Sequence, residues 1–174
     1  MNNRKVYISG EIVPEVDAKI SIFDSAVLLG DTVTESTRTF NFKPFKLDDH
    51  LERLYKSFKL TRIDPQMTIE EMKKVSLDLL EINKDQYKGN EDCWLVHNIS
   101  RGHSITGGNP ALQVSKPTVM IYTQPMNLVS WAPFYSKGCH AVTPPTRMVP
   151  SQSLDARIKN RSRLFYTLAE IEAK

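Results

Sequence analysis

The sequence predicts an α+β protein, and three observations carry that prediction. Short runs of alternating apolar and polar residues come first, two amphipathic segments with helical spacing follow, and two further strand-like runs come after those. A last helical segment near residue 174 then opens a second unit.

The elements can be justified in order. "KVYISGEIV" alternates around Gly10 as a strand pair joined by a tight turn, and "AKISIFD" repeats the same period. "TVTESTRTF" is rich in β-branched residues and runs into "NFKPF", a hairpin turn leading to another short strand. "LDDHLERLYKSFKLTRI" then places Leu47, Leu51, Leu54 and Phe58 on one helical face, with Asp48 and Asp49 in the first turn. In "MTIEEMKKVSLDLLEINK" a second helix starts at the N-cap Thr68, and Glu71 completes a capping box. After the polar turn "DQYKGNED" come the strands "CWLVHNIS" and "PTVMIYT", separated by the Gly- and Ser-rich loop "RGHSITGGNPALQVSK". "QPMNLVSWAPF" has two prolines and no clear period, and reads as a linker. "GCHAVTPPTRMVP" has room for one more short strand, and from Asn160 the positions Leu164, Leu168 and Ile171 define a helix with Lys159 at its start. These boundaries divide the chain into an N-terminal α+β domain over residues 1–122, a linker over 123–132, and the start of a second domain over 133–174. The last segment is too short to close a core of its own.

Composition narrows the class. The chain has 174 residues, 40% hydrophobic and 25% charged, as in soluble globular domains. Its +3 formal charge is too mild to imply a nucleic-acid or membrane partner, and no apolar run is long enough to span a bilayer. The two cysteines, Cys93 and Cys139, lie outside any C-x-x-C pattern, which fits a reducing compartment and makes the cytoplasm the expected location. The four histidines show no metal-ligand spacing, so no metal is expected.

Two residues invite a chemical reading. Lys159 stands among Arg157, Arg161 and Arg163. Neighbouring positive charge and desolvation both favour the free amine, the form that attacks a carbonyl. The competing reading is a solvated basic helix start, or a small basic patch for nucleic acid with Phe165 and Tyr166 beside it. Arg53 lies three residues after His50 on one side of a helix and is placed to grip a phosphate. Its competing reading is an intrahelical pair with Asp49.

Taken together, the segments resemble the class IV aminotransferases, the fold-type IV enzymes that use pyridoxal 5'-phosphate (PLP). The likeness covers the whole chain and rests on Asp24, Gly30, Asp31 and Glu35 in "DSAVLLGDTVTE", on His50, Arg53 and Leu54 in "HLERL", on Arg101 and Gly102 in "ISRGHS", and on "DARIKNRSRL" followed by "AEIEA". The resemblance implies a small N-terminal α/β sandwich domain and the beginning of a larger β-barrel-like PLP domain. It implies that Lys159 forms the Schiff base with PLP and shuttles the proton, that Arg53 holds the 5'-phosphate, and that Thr34, Arg101 and His103 line the substrate pocket. The reaction implied is a ping-pong transfer of an amino group from an amino acid or amine to a 2-oxo acid, carried out by a homodimer. A lyase of the same fold, of the aminodeoxychorismate lyase type, is the alternative; a non-catalytic fragment is another. Two departures stand out. Family chains continue past this point with a glutamate that pairs with the pyridine nitrogen. The D-amino-acid members also carry an Arg and a His soon after the R-G pair, where "RGHSITGGN" has His103 and no second arginine.

Overall fold

In a computed structural model, residues 3–87, 92–103, 116–126 and 128–174 are described. Six strands form a single sheet in the order β2-β1-β6-β5-β3-β4, and every neighbouring pair is antiparallel. They are β1 (Lys5–Ile8), β2 (Glu11–Pro14), β3 (Thr32–Phe40), β4 (Lys43–Pro44), β5 (Cys93–Ser100) and β6 (Thr118–Pro125). Among the described residues five α-helices accompany them: α1 (Ser25–Leu28), α2 (Leu47–Thr61), α3 (Ile69–Asn83), α4 (Leu128–Lys137) and α5 (Leu164–Glu172). The α+β expectation holds, and apart from "AKISIFD" and the short helix α1, which was not expected, the strand and helix patterns of the first 125 residues were legible in the sequence.

Helices α2 and α3 cover one face of the sheet. The four apolar positions read from the α2 sequence are all buried there, with Leu51 and Leu54 at 0% and 1% exposure. They pack with Met72 and Leu79 of α3 against Leu95, Ile99 and Ile121 from the two central strands. Burying one such leucine stabilises the domain by about 2 kcal/mol through the hydrophobic effect alone. The α3 capping box forms as its sequence requires: the Thr68 Oγ1 accepts from the Glu71 N–H at 3.2 Å, and the Thr68 N–H donates to the Glu71 carboxylate at 2.7 Å. Period-2 alternation sends odd-numbered residues of β3 and β5 toward the helices, which is how Glu35 and His97 come to lie side by side under α2 and α3 at 0% exposure.

Three expectations are corrected. "AKISIFD" forms no strand; the chain leaves the sheet through the short 3-10 turn Glu15–Asp17, and Ile20 and Ile22 stay exposed because no strand edge is there to pair with them. The predicted linker over residues 123–132 is half helical: α4 runs from Leu128 through Pro133 to Lys137, with no buried residue, and the linker's first three residues belong to β6. Pro133 is tolerated inside this exposed helix because the carbonyl it leaves without a donor is open to water. Residues 138–150 contain no strand, since Pro144, Pro145 and Pro150 offer no N–H to a ladder. The tip of the Gly-rich loop, residues 104–115, and the turn residues 88–91 lie outside the described residues. Among the described residues, no helix is long and apolar enough to cross a membrane.

Candidate functional site

The site is built on β3 and the N-terminal half of α2. Glu35 is the acidic residue of β3 that faces the helices, and His50 and Arg53 project from α2 onto it. Arg53 grips the carboxylate with two bonds, Nε to Oε2 at 2.7 Å and Nη2 to Oε1 at 2.6 Å. His50 Nδ1 lies 3.0 Å from Oε1, and the Ser36 N–H donates to the same oxygen at 2.9 Å. Burial alone would push the Glu35 carboxyl up, but the donors from Arg53, Ser36 and His50 outweigh it and hold the carboxyl below its usual range. The Arg53 Nη1 has no hydrogen-bond partner among the described residues. The alternative pairing considered for Arg53 does not occur: Asp49 is bridged by Lys46 at 3.3 Å.

Lys159 is not the first residue of a helix. It lies on an extended stretch laid along the free edge of β3, while α5 begins five residues later at Leu164. The Thr34 N–H donates to the Lys159 carbonyl at 2.8 Å, the Arg161 N–H donates to the Thr32 carbonyl at 2.9 Å, and the Lys159 N–H reaches Ser57 Oγ of α2 at 3.3 Å. These bonds fix the lysine backbone against the same strand and helix that hold Glu35 and Arg53. Lys159 and Arg53 line one cavity of about 470 Å³, together with Arg157, Arg163, Phe165 and Tyr166.

The Lys159 ammonium is shifted below its ordinary pKa. Partial burial is the main cause; Glu35 opposes the shift, while Arg163, Arg53 and Arg161 add to it. The sequence expectation that neighbouring arginines act on this lysine therefore holds for two of the three residues named. Arg157 is tied instead to Asp155 at 2.6 Å. An amine whose charged form is disfavoured, sharing a cavity with an arginine that has an uncommitted N–H group, suits attack on a carbonyl carbon while an anionic group of the same molecule is held. Those are the demands PLP makes, and the residues fit it.

The other predicted pocket residues are placed differently. Thr34 is fully buried, its Oγ1 donating to the His97 carbonyl at 3.0 Å, so it contributes its backbone rather than a pocket surface. Arg101 is committed to Asp31, with Nε to Oδ2 at 2.6 Å, and to the last carbonyls of α2, Thr61 and Arg62, each at 3.0 Å. His103 is exposed, forms an isolated bridge with Asp24 and sets its ring edge-on to Phe23. None of the three lines the Lys159 cavity. Glu35 is the central residue to which sequence reasoning gave no role. Its signal was a lone carboxylate at a core-facing position of a strand otherwise rich in Thr, Ser and Val, which requires a cationic partner.

The fold is an antiparallel sheet backed by two helices, and Lys159 and Arg53 line one cavity on it. The chain belongs to the amino-transferase class IV family, whose model matches residues 32–174. It is 34% identical over 97% of its length to a putative branched-chain-amino-acid aminotransferase of Methanocaldococcus jannaschii, covering 55% of that protein. It is 36% identical over 67% of its length to the aminodeoxychorismate lyase of Bacillus subtilis, covering 39% of it. Among solved structures, the branched-chain aminotransferase of Thermoproteus uzoniensis with norvaline superposes with a TM-score of 0.79 over 97% of this chain and 55% of that one, at 24% identity. The T.th. branched-chain amino acid aminotransferase with pyridoxamine 5'-phosphate gives 0.82 over 99% and 55%, at 22% identity. The fold is thus that of these aminotransferases, and the chain spans about half the length of the archaeal relative and of both solved structures.

Proposed function

We propose that the chain carries the lysine-bearing part of a PLP-dependent aminotransferase that moves an amino group from an amino acid or amine to a 2-oxo acid in two half-reactions. The observation that carries this reading is the meeting of Lys159 and Arg53 at one cavity, with the lysine's charge disfavoured by partial burial and by the surrounding arginines. PLP, when bound, supplies an electron sink for bond breaking at the amino-bearing carbon. The chain's own residues do the rest. Lys159 offers its amine as the covalent anchor and, once released, takes up and returns a proton. Arg53 receives the phosphate group. The β3 edge keeps the lysine backbone from moving as its side chain works. Family membership and the names of the relatives support the reading.

The test is borohydride reduction in the presence of PLP, followed by peptide mapping. A phosphopyridoxyl label on Lys159, absent from Lys159→Ala, is the expected result; a label spread over surface lysines would refute the assignment. The lyase of Bacillus subtilis favours a second reading, lyase chemistry at the same lysine. Incubation with amino donors and pyruvate or 2-oxoglutarate separates the two, because only a transaminase delivers the amino group to the acceptor. A homodimer belongs to the same proposal. It is supported by the exposed Phe23, Val27, Leu28 and Leu29 at α1 and Trp131 and Phe134 on α4, and is checked by sedimentation equilibrium. A cytoplasmic location, consistent with the free Cys93 and Cys139, is checked by cell fractionation.

A further inference from the structure

The fork of Arg53 is only partly used by the protein. Nε and Nη2 are both spent on Glu35, at 2.7 and 2.6 Å, while Nη1 is left without a partner among the described residues. The side chain is 51% exposed at the rim of the Lys159 cavity, yet the carboxylate that holds it is 0% exposed. A long arginine at such a rim would ordinarily sample several rotamers. Here the anchoring carboxylate is itself immobile, because the Ser36 N–H and His50 Nδ1 fix Oε1 from two other directions.

We infer that Glu35 is a positioning residue of this site: it clamps the Nε–Nη2 edge of Arg53 so that Nη1 remains to receive a phosphate group entering the cavity beside Lys159. Glu35 touches neither the phosphate nor the reacting amine, and it acts through Arg53. The inference rests on the proposed PLP reading for the identity of the phosphate, though not for the clamp itself. A phosphate delivered by the cofactor and free inorganic phosphate share the chemistry that Nη1 recognises, so the experiment separates them. The clamp has a second effect that sharpens the test. Among the charges acting on Lys159, Glu35 favours the ammonium form while the three arginines oppose it, so neutralising Glu35 makes the amine more reactive while loosening Arg53.

The experiment measures equilibrium binding of PLP, of pyridoxal and of inorganic phosphate to the full chain, for the wild type, Glu35→Gln and Arg53→Lys. Glutamine keeps the shape of Glu35 but presents one acceptor and one donor to a fork that needs two acceptors. Lysine keeps the charge of Arg53 but not its planar edge. Both variants are expected to weaken PLP and inorganic phosphate about tenfold and to leave pyridoxal within about twofold of the wild type. Reaction of Lys159 with an acylating reagent at neutral pH is expected to rise in Glu35→Gln, which a merely structural role for the carboxylate would not produce. Unchanged phosphate and PLP affinities in Glu35→Gln would overturn the inference, as would equal weakening of PLP and pyridoxal. If the wild type binds phosphate but does not prefer PLP to pyridoxal, the cofactor reading fails while the loss of phosphate binding in Glu35→Gln still supports the clamp. If the wild type binds no phosphate, Arg53 is not an anion anchor and the clamp is refuted.

Discussion

Replacing Arg53 with Ala should destabilise the protein in a way that depends on pH. The substitution removes both bonds at 2.6 and 2.7 Å and leaves Glu35 Oε2 with no donor, while Oε1 keeps Ser36 and His50. Breaking a fully buried pair costs about 3–5 kcal/mol. Arg53 is half exposed, its released side chain regains rotamer freedom, and two donors remain on the carboxylate, so the expected loss at pH 7 is about 2 kcal/mol. For a domain of this size that is about 4–8 °C in Tm. In the wild type the folded carboxyl lies below its unfolded pKa, so Glu35 contributes stability above that pKa, and the contribution is lost as pH falls through the lower folded value. Without Arg53, burial governs and the folded pKa rises above the unfolded one. The variant then loses stability as pH rises from about 4 toward 7, and the gap to the wild type widens over that window. Urea titration at pH 4.5 and 7 reads the effect. The double variant Arg53→Ala/Glu35→Gln should recover most of the pH 7 loss. A single variant as stable as the wild type at pH 7, or a double variant no more stable than the single, would refute the reasoning.

Other outcomes follow from the same packing. Leu51→Ala at a fully buried position should cost about 2–5 kcal/mol in urea unfolding, whereas Leu164→Ala on exposed α5 should fall within about 0.5 kcal/mol of the wild type. Thr68→Ala removes the hydroxyl half of the α3 capping box and should cost about 1 kcal/mol in the same assay. His97 is pushed down to about 4, chiefly by burial, so it stays neutral in the fold while the unfolded chain takes up a proton from about pH 6.5 downward. Stability should therefore fall as pH drops from about 6.5 to 4, and His97→Gln should flatten that slope, read as Tm against pH. Gly102 has φ near +102°, and a Cβ there would run into the Lys116 carbonyl, so Gly102→Ala should lower Tm even though the glycine lies away from the Lys159 cavity.

What was legible in the sequence was whatever local chemistry determines. The α2 stripe of Leu47, Leu51, Leu54 and Phe58 and the Thr68–Glu71 box were read correctly because period and capping act over three or four residues. "AKISIFD" has the alternation of a strand, but its residues 19–23 lie exposed outside any strand, because pairing needs an edge that only the fold supplies or withholds. The α4 helix escaped detection because two prolines and a missing period suggested irregular chain. Lys159 and Arg53, singled out through chemistry and resemblance, line one cavity. The roles expected of Thr34 and Arg101 were not met at the cavity, because burial on β3 claimed the Thr34 hydroxyl and Asp31 with the α2 carbonyls claimed the Arg101 guanidinium. Such claims are made by residues distant in sequence, and no spacing announces them.

The position of Lys159 has a physical logic that its own neighbourhood in the sequence conceals. In the role proposed for it, Lys159 needs a backbone that does not drift, yet residues 138–163 contain no strand or helix that could hold one. The fold solves this by borrowing the edge of β3, whose Thr32 carbonyl and Thr34 N–H bond to Arg161 and Lys159 at 2.9 and 2.8 Å. The next residue along that strand is Glu35, which points to the helix side and holds Arg53. One strand thus sets the lysine by its backbone and the arginine by a side chain, within four consecutive residues. The spacing between amine and guanidinium is then carried by a strand bonded to β5 over seven residue pairs. A variant that weakens β3 should therefore loosen both ends of the site together, whereas one in α5 or in residues 138–150 should disturb the cavity wall and leave the Lys159 to Arg53 geometry in place.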